Sequence, residues 1–328
     1  MLHRFAKFVA GCTVLLVLAG SLVTSTDSGL SVPDWPTTYG WNMFTFPPSK
    51  WVGGILYEHG HRLIASTVGF LTIILAVWLW MSERRRWMRW LGVSALGAVI
   101  AQGVLGGLTV KFFLPAPIST AHAGLAEIFF CMTVAIALFT SPRWIDAYGG
   151  RLADDGGLRT FATTTTALVY CQILVGATMR HTGAGLAIPD FPLMFGHLLP
   201  THWDVKIAVH FTHRLGALLV ALSVAATSTA VFRRTSRGEL RRPASLLVAL
   251  VAVQITLGAL TVLSRRDVWI NSVHVVCGAL VLTTSLVLTL RAWRGKFATG
   301  SNVRLKSDAT SDTTPARSVR LQPDGTVA

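Results

Sequence analysis

Eight segments of this chain are apolar over about 20 residues or more, long enough to cross a lipid bilayer: 7–25, 53–81, 89–110, 117–140, 159–180, 204–232, 243–263 and 268–291. In hydrocarbon every backbone N–H and C=O needs an internal partner, so segments of this length cross as α-helices. The expected fold class is an all-α integral membrane protein with eight transmembrane helices. Composition agrees, since 13% of the 328 residues are charged, against roughly 25% in a soluble domain. A formal net charge of +14 would suit nucleic acid, but no DNA- or RNA-binding motif accompanies it, and no nucleic-acid partner is expected.

The distribution of that charge carries more information than its sum. Twenty-one of the 29 Lys and Arg residues lie around 4–7, 84–89, 143–159 and 233–242 and in the C-terminal tail. The positive-inside rule then makes these segments and both termini cytoplasmic. The first apolar stretch, behind Arg4 and Lys7, resembles a signal peptide without a convincing cleavage site and is read as a retained helix. Beyond residue 294 the chain is rich in Ser, Thr, Asp and Gly and is expected to be a disordered cytoplasmic tail.

The chain repeats itself. Ser28-Gly29-Leu30-Ser31-Val32-Pro33-Asp34-Trp35-Pro36 returns as Ala184-Gly185-Leu186-Ala187-Ile188-Pro189-Asp190-Phe191-Pro192, and the stretch beginning Gln102-Gly103 returns at Gln254-Ile255. Both copies start on the cytoplasmic side, so the repeat is parallel. The expected architecture is two pseudo-symmetric four-helix bundles, 1–142 and 159–293, joined by a cytoplasmic linker at 143–158.

The histidines obey the same repeat. His61 and His122 stand 61 residues apart, as do His213 and His274, placing one histidine on the second and one on the fourth helix of each half. Counted from the outer helix ends at 1.5 Å per residue, each lies about 8–15 Å deep. Two neutral imidazoles at matched depth in a dry bundle are what axial ligation of a haem iron requires. The alternatives are polar contacts that glue helices together and zinc, for which neither pair brings matching third and fourth ligands.

One position breaks the symmetry. Three residues before the histidine, on the same helix face, the first half has Glu58 and the second His210. Glu58 reads either as a structural partner of a buried imidazole or as a catalytic carboxylate beside a haem that is itself the substrate. Arg62 and Arg214 are candidates for haem propionate contacts, with snorkelling to the interface as the alternative. The Pro-Asp-aromatic-Pro pieces are expected to cap each bundle, with Asp34 and Asp190 as turn residues. Gly103, Gly106, Gly107 and Gly258 are read as giving room for helix contact or a porphyrin edge, and His59 points to another face.

Taken together, the Ser-Gly-Leu-Ser loop, Glu58-x-x-His61-Arg62, Gln102 with its glycines, His122, His213-Arg214 and His274 resemble the haem A synthase family, to about residue 291. The resemblance implies oxidation of a methyl group of haem O to a formyl group, through an alcohol and a hydrated aldehyde. It also implies that His61 and His122 flank the iron of the substrate haem O, that His213 and His274 hold a haem b cofactor, and that Glu58 is the catalytic carboxylate. Expected partners are the lipid bilayer, a haem O synthase or its product, an electron acceptor such as a quinone, and a second copy of the chain. The expected location is a bacterial plasma membrane.

Part of that family carries a cysteine pair in the outer loop after the first helix. Here Cys12, Cys131, Cys171 and Cys277 all fall within predicted helices, so no loop disulfide is available. Cys277, three residues after His274, reads as a packing residue. Two other functions compete: a di-haem b membrane electron carrier, and a proton-coupled transporter using Glu58 and His210 as relay groups.

Overall fold

The computed structural model describes residues 1–146 and 155–311, with side chains described to residue 145 and from 155 to 294. Eight helices among them are long and apolar enough to cross a membrane. They are α1 (Leu2–Ser25), α2 (Gly54–Ser82), α3 (Arg86–Lys111), α4 (Ala116–Phe139), α6 (Gly156–His181), α7 (Val205–Arg234), α8 (Gly238–Leu263) and the membrane part of α9, Val268–Arg294. A short α5 (Pro142–Asp146) follows α4, and α9 continues to Ser311, beyond the point where composition suggests a tail. Part of the expected linker, 147–154, and the rest of the tail, from 312, lie outside the described residues.

Local chemistry explains where the helices stop. Asp155 accepts the Leu158 N–H at 3.0 Å and Asp204 accepts the Ile207 N–H at 2.7 Å, N-caps that satisfy donors the first turn cannot. The α2–α3 turn closes on Glu83, whose carboxylate takes Arg85 Nη2 at 2.6 Å while its carbonyl takes Arg89 Nε at 2.6 Å. Between α3 and α4, Phe113 and Leu114 adopt left-handed backbone before Pro115, and Arg265 and Arg266 do the same between α8 and α9.

Two apolar clusters form the interior. One gathers Val9, Leu75, Leu79, Met88, Phe129 and Ile136 from α1–α4; the other gathers Leu158, Val224, Val231, Leu247, Leu282 and Leu288 from α6–α9. Because lipid tails are as apolar as leucine, small and hydroxylated residues do much of the gluing. Thr165 bonds Ser223 at 2.6 Å and Thr227 at 2.7 Å, and Thr166 bonds Ser285 at 2.7 Å and Thr289 at 2.8 Å, tying α6 to α7 and α9. Large side chains such as Phe70 and Leu222 stay exposed, as a lipid-facing surface permits.

The two outer loops match in detail. Asp34 accepts the Tyr39 and Gly40 N–H groups, and Asp190 accepts those of Phe195 and Gly196. Both are turn residues, as expected. Gly40 and Gly196 have φ of +74° and +77°, a conformation glycine adopts without cost. Each loop folds back onto the helices, and Trp35 lies flat on α3 where a Cβ at Gly107 would strike its indole.

Candidate functional site

Each of the four repeat histidines rests on a glycine of the preceding helix. A Cβ added at Gly20 would stand 3.0 Å from His61 Cε1, at Gly106 3.3 Å from His122, at Gly176 2.9 Å from His213 and at Gly258 3.1 Å from His274. No side chain larger than hydrogen fits beneath these rings without displacing them. His61 and His122 lie within electrostatic reach of one another, as do His213 and His274. The structure thus brings the sequence-predicted residues together as two pairs.

A second element accompanies three of the four glycines. One turn before Gly106, Gly176 and Gly258 stand Gln102, Gln172 and Gln254. Gln102 Nε2 donates to the His122 carbonyl at 3.0 Å and Gln172 Nε2 to the His213 carbonyl at 2.7 Å, while Gln254 Nε2 lies 3.4 Å from His274 Nε2. One turn before Gly20 stands Leu16 instead. His61 is the one ligand candidate whose helix pair has no such amide.

These features fit axial coordination. Nδ1 of His61, His122 and His274 is buried without a hydrogen-bond partner among the described residues. An unpaired buried ring nitrogen is costly in a helix bundle unless something outside the polypeptide completes it. A glycine under each ring leaves the imidazole free to turn toward a flat ligand. Among the described residues no three His, Cys, Asp or Glu side chains gather as a chelate.

Glu58 has a task that sequence reading did not assign. Its Oε2 accepts the Val32 N–H at 2.8 Å and its Oε1 accepts Arg62 Nη2 at 2.7 Å, a buried ion pair one helical turn apart. In the second half His210 Nδ1 accepts the Ile188 N–H at 3.3 Å. Val32 and Ile188 are repeat equivalents, so a carboxylate and an imidazole hold the same loop at the same place.

The arginines join in this work. Arg62 gives its terminal N–H groups to the carbonyls of Val32, Asp34 and Thr37 and to Glu58. Arg214 gives its own to Ile188, Asp190 and Leu193. Expected as candidates for propionate contacts, both guanidiniums bind the loops to their helices through Nη1 and Nη2. His59 is also accounted for: fully buried, it meets the Thr38 hydroxyl at 3.1 Å and packs between Phe46 and Trp51.

Three polar residues near the histidines escaped sequence reading. Arg180 on α6 reaches α1, with Nη2 donating to the Ser21 carbonyl at 2.9 Å and to Ser25 Oγ at 2.8 Å; Asn271 and Ser272 of α9 meet the same Ser25. His181 lies within electrostatic reach of His122. Glu127, five residues after His122, is 5% exposed and its Oε2 has no hydrogen-bond partner among the described residues. An intramembrane carboxyl of this kind was findable from sequence as a charge inside an apolar run. No repeat partner drew attention to it, because the second half has Ala279 in its place.

Cys12, Cys131, Cys171 and Cys277 are free thiols on α1, α4, α6 and α9, and Cys277 Sγ sits 3.6 Å from the Leu250 carbonyl. Gly103 has nothing within 4 Å of an added Cβ, whereas Gly106, Gly107 and Gly258 each lie under a ring.

Comparison with known proteins shows what this chain is similar to. Residues 3–286 match the model of the COX15-CtaA family, described as cytochrome oxidase assembly protein. The chain is 28% identical over 304 residues to a heme A synthase of Halalkalibacterium halodurans, covering 90% of this chain and 99% of that one. It is 32% identical over 274 residues to a heme A synthase of Symbiobacterium thermophilum, with 80% and 85% covered. A heme A synthase of Nitrosospira multiformis is 30% identical over 325 residues, with 82% and 87% covered.

Proposed function

This chain belongs to the COX15-CtaA family of cytochrome oxidase assembly proteins, and we propose from that premise that it is a haem A synthase. It is a multi-pass membrane oxidoreductase that converts a methyl group of haem O into the formyl group of haem A. The observation that carries the reading is the repeat of four histidines, each on its glycine, with a carboxylate three residues before the histidine in only one half.

In this reading the chain is two pseudo-symmetric four-helix bundles, 1–142 and 159–293, with both termini cytoplasmic in a bacterial plasma membrane. His61 and His122 hold the iron of substrate haem O. His213 and His274 would hold a haem b, which would supply one-electron chemistry toward an acceptor of the quinone class. Haem O reaches the first pair from a haem O synthase.

The polypeptide contributes position and charge. Glu58, oriented by the Val32 N–H and Arg62, faces the same way as His61 one turn on. Loss of two electrons and one C–H proton from a porphyrin methyl group leaves positive charge at that carbon, and a fixed carboxylate in a water-poor site stabilises it far more than it could in water. The same carboxylate takes the proton of an attacking water. The loops held by Arg62 and Arg214 cover the outer ends of the helices and limit water to what the reaction uses.

The test is chromatography of haems extracted from cells that express this chain with a haem O synthase. Haem A is the expected product. The twin loop anchors, Glu58 on Val32 and His210 on Ile188, favour a second reading as a di-haem b electron carrier, in which both pairs hold permanent haems. Haem absorption without any altered haem would establish that reading instead.

A further inference from the structure

A cavity of about 640 Å³ opens between α4, α5, α8 and α9, at the end of the helices opposite the histidines. Arg143, Arg242, Arg291 and Arg294 line it, opposed among the described residues by the carboxylate of Glu239. All of these lie within electrostatic reach of Arg291. Two of the arginines have structural tasks. Pro243 lacks the N–H that would bond the Glu239 carbonyl one turn earlier, and Arg291 Nη1 supplies that bond at 2.6 Å. Arg294 lies over the Trp144 ring, donates to its carbonyl at 2.6 Å and stands 4.0 Å from the Glu239 carboxylate. Such tasks do not explain Arg143 and Arg242, which are exposed and add two like charges to the same space. Guanidiniums crowded at a membrane edge repel one another unless an anion lies among them.

The cavity wall says where that anion comes from. Leu138, Val134 and Val287 form an apolar side, and it runs out to Leu246, which is 52% exposed on the surface that faces lipid. A free phosphate would use the arginines alone, whereas a phospholipid uses both halves of the wall. We propose that this cavity binds an anionic phospholipid from the basic-loop side of the membrane, its phosphate among the four arginines and an acyl chain along Leu246. Four arginines against one glutamate favour a headgroup with two phosphates, the cardiolipin class, over one with a single charge.

The experiment uses the full-length protein, delipidated in neutral detergent, with lipid retention read by native mass spectrometry and stability by thermal melting. Cardiolipin is expected to bind and raise the melting temperature, phosphatidylcholine to do neither, and inorganic phosphate at the same phosphate concentration to leave it unchanged. The double variant Arg143→Gln/Arg242→Gln should bind cardiolipin roughly 30-fold more weakly, at about 1 kcal/mol per lost charge, and melt like the parent in phosphatidylcholine. Arg143→Lys/Arg242→Lys should keep most of the affinity. Equal affinity for phosphatidylcholine, or a phosphate-induced shift as large as that of cardiolipin, overturns the proposal without any variant. Undiminished cardiolipin binding by the glutamine variant overturns the assignment to these arginines.

Discussion

Substitution of Glu58 separates the two tasks this side chain carries. Its carboxylate accepts two donors, the buried Val32 N–H and the partly buried Arg62 Nη2. Glu58→Gln keeps one acceptor oxygen, so the loss is about one charge-assisted hydrogen bond, roughly 1.5–3 kcal/mol. Glu58→Ala leaves the Arg62 charge and the Val32 N–H unpaired, at roughly 3–5 kcal/mol, and is the poorer test. Glu58→His isolates the loop task, because an imidazole already performs it in the second half, where His210 accepts the Ile188 N–H, and Glu58→Gln isolates the base. Both Gln and His variants are expected to fold and retain haem b, while haem A formation falls by roughly 10²–10⁴, the usual worth of a general base. The assay is the ratio of haem A to haem O and its hydroxylated intermediate in extracts, normalised to haem b. If Glu58→Gln made haem A at the parent rate, the carboxylate would be a loop anchor only and the proposed mechanism would be refuted.

Four further outcomes are expected. His213→Ala or His274→Ala should abolish the tightly held haem b, whereas His61→Ala or His122→Ala should leave that absorption and remove product; equal haem loss from both sets contradicts the division of labour. Gly176→Ala puts a Cβ 2.9 Å from the His213 ring and should cost about 1–3 kcal/mol by overpacking together with haem b occupancy, while Gly60→Ala, which meets nothing within 4 Å, should change neither in absorption and melting assays. A variant lacking all four cysteines should keep its activity apart from small packing losses, and a folded, haem-loaded but inactive protein would show that a thiol is needed. The Gly196 N–H, aided by that of Phe195 and opposed by partial burial, holds the Asp190 carboxyl below its ordinary value of 3.8. Its hold on the second outer loop is therefore complete above that ordinary value and lost only as pH falls through the lower folded one; hydrogen exchange of the loop amides should show this acid transition, and Asp190→Asn should remove it.

The helices were legible because twenty apolar residues in a row leave little choice of structure; each observed span begins and ends within a few residues of its expected place. The histidine pairs were legible because a repeat places equivalent residues on equivalent helix faces. What covers a face was not. Spacing along α1 or α6 does not say which neighbour lies against Gly20 or Gly176, so neither appeared as a ring cradle. Glu58 showed as an asymmetry between halves, but its bond to Val32 arises from a loop folding back by 26 residues, which helical periodicity does not encode. Arg62 and Arg214 drew attention for their charge, and only the folded loops reveal the carbonyls that use it.

The missing amide beside His61 bears on how something as large as a haem could pass between helices. At α3–α4 and α6–α7 an amide–carbonyl bond spans the seam at the level of the histidine, and parting those helices would strand the amide in hydrocarbon. Between α1 and α2 the described residues form no hydrogen bond. The polar contacts of α1 run elsewhere, from Ser21 and Ser25 to Arg180, Asn271 and Ser272 and from His3 to the Ala137 carbonyl. The first helix is thus moored to α4, α6 and α9 and meets α2 through apolar contact alone. Such a seam can part in lipid with its lost contacts replaced by acyl chains. The α1–α2 seam, on the flank of His61, can therefore open without stranding a polar group.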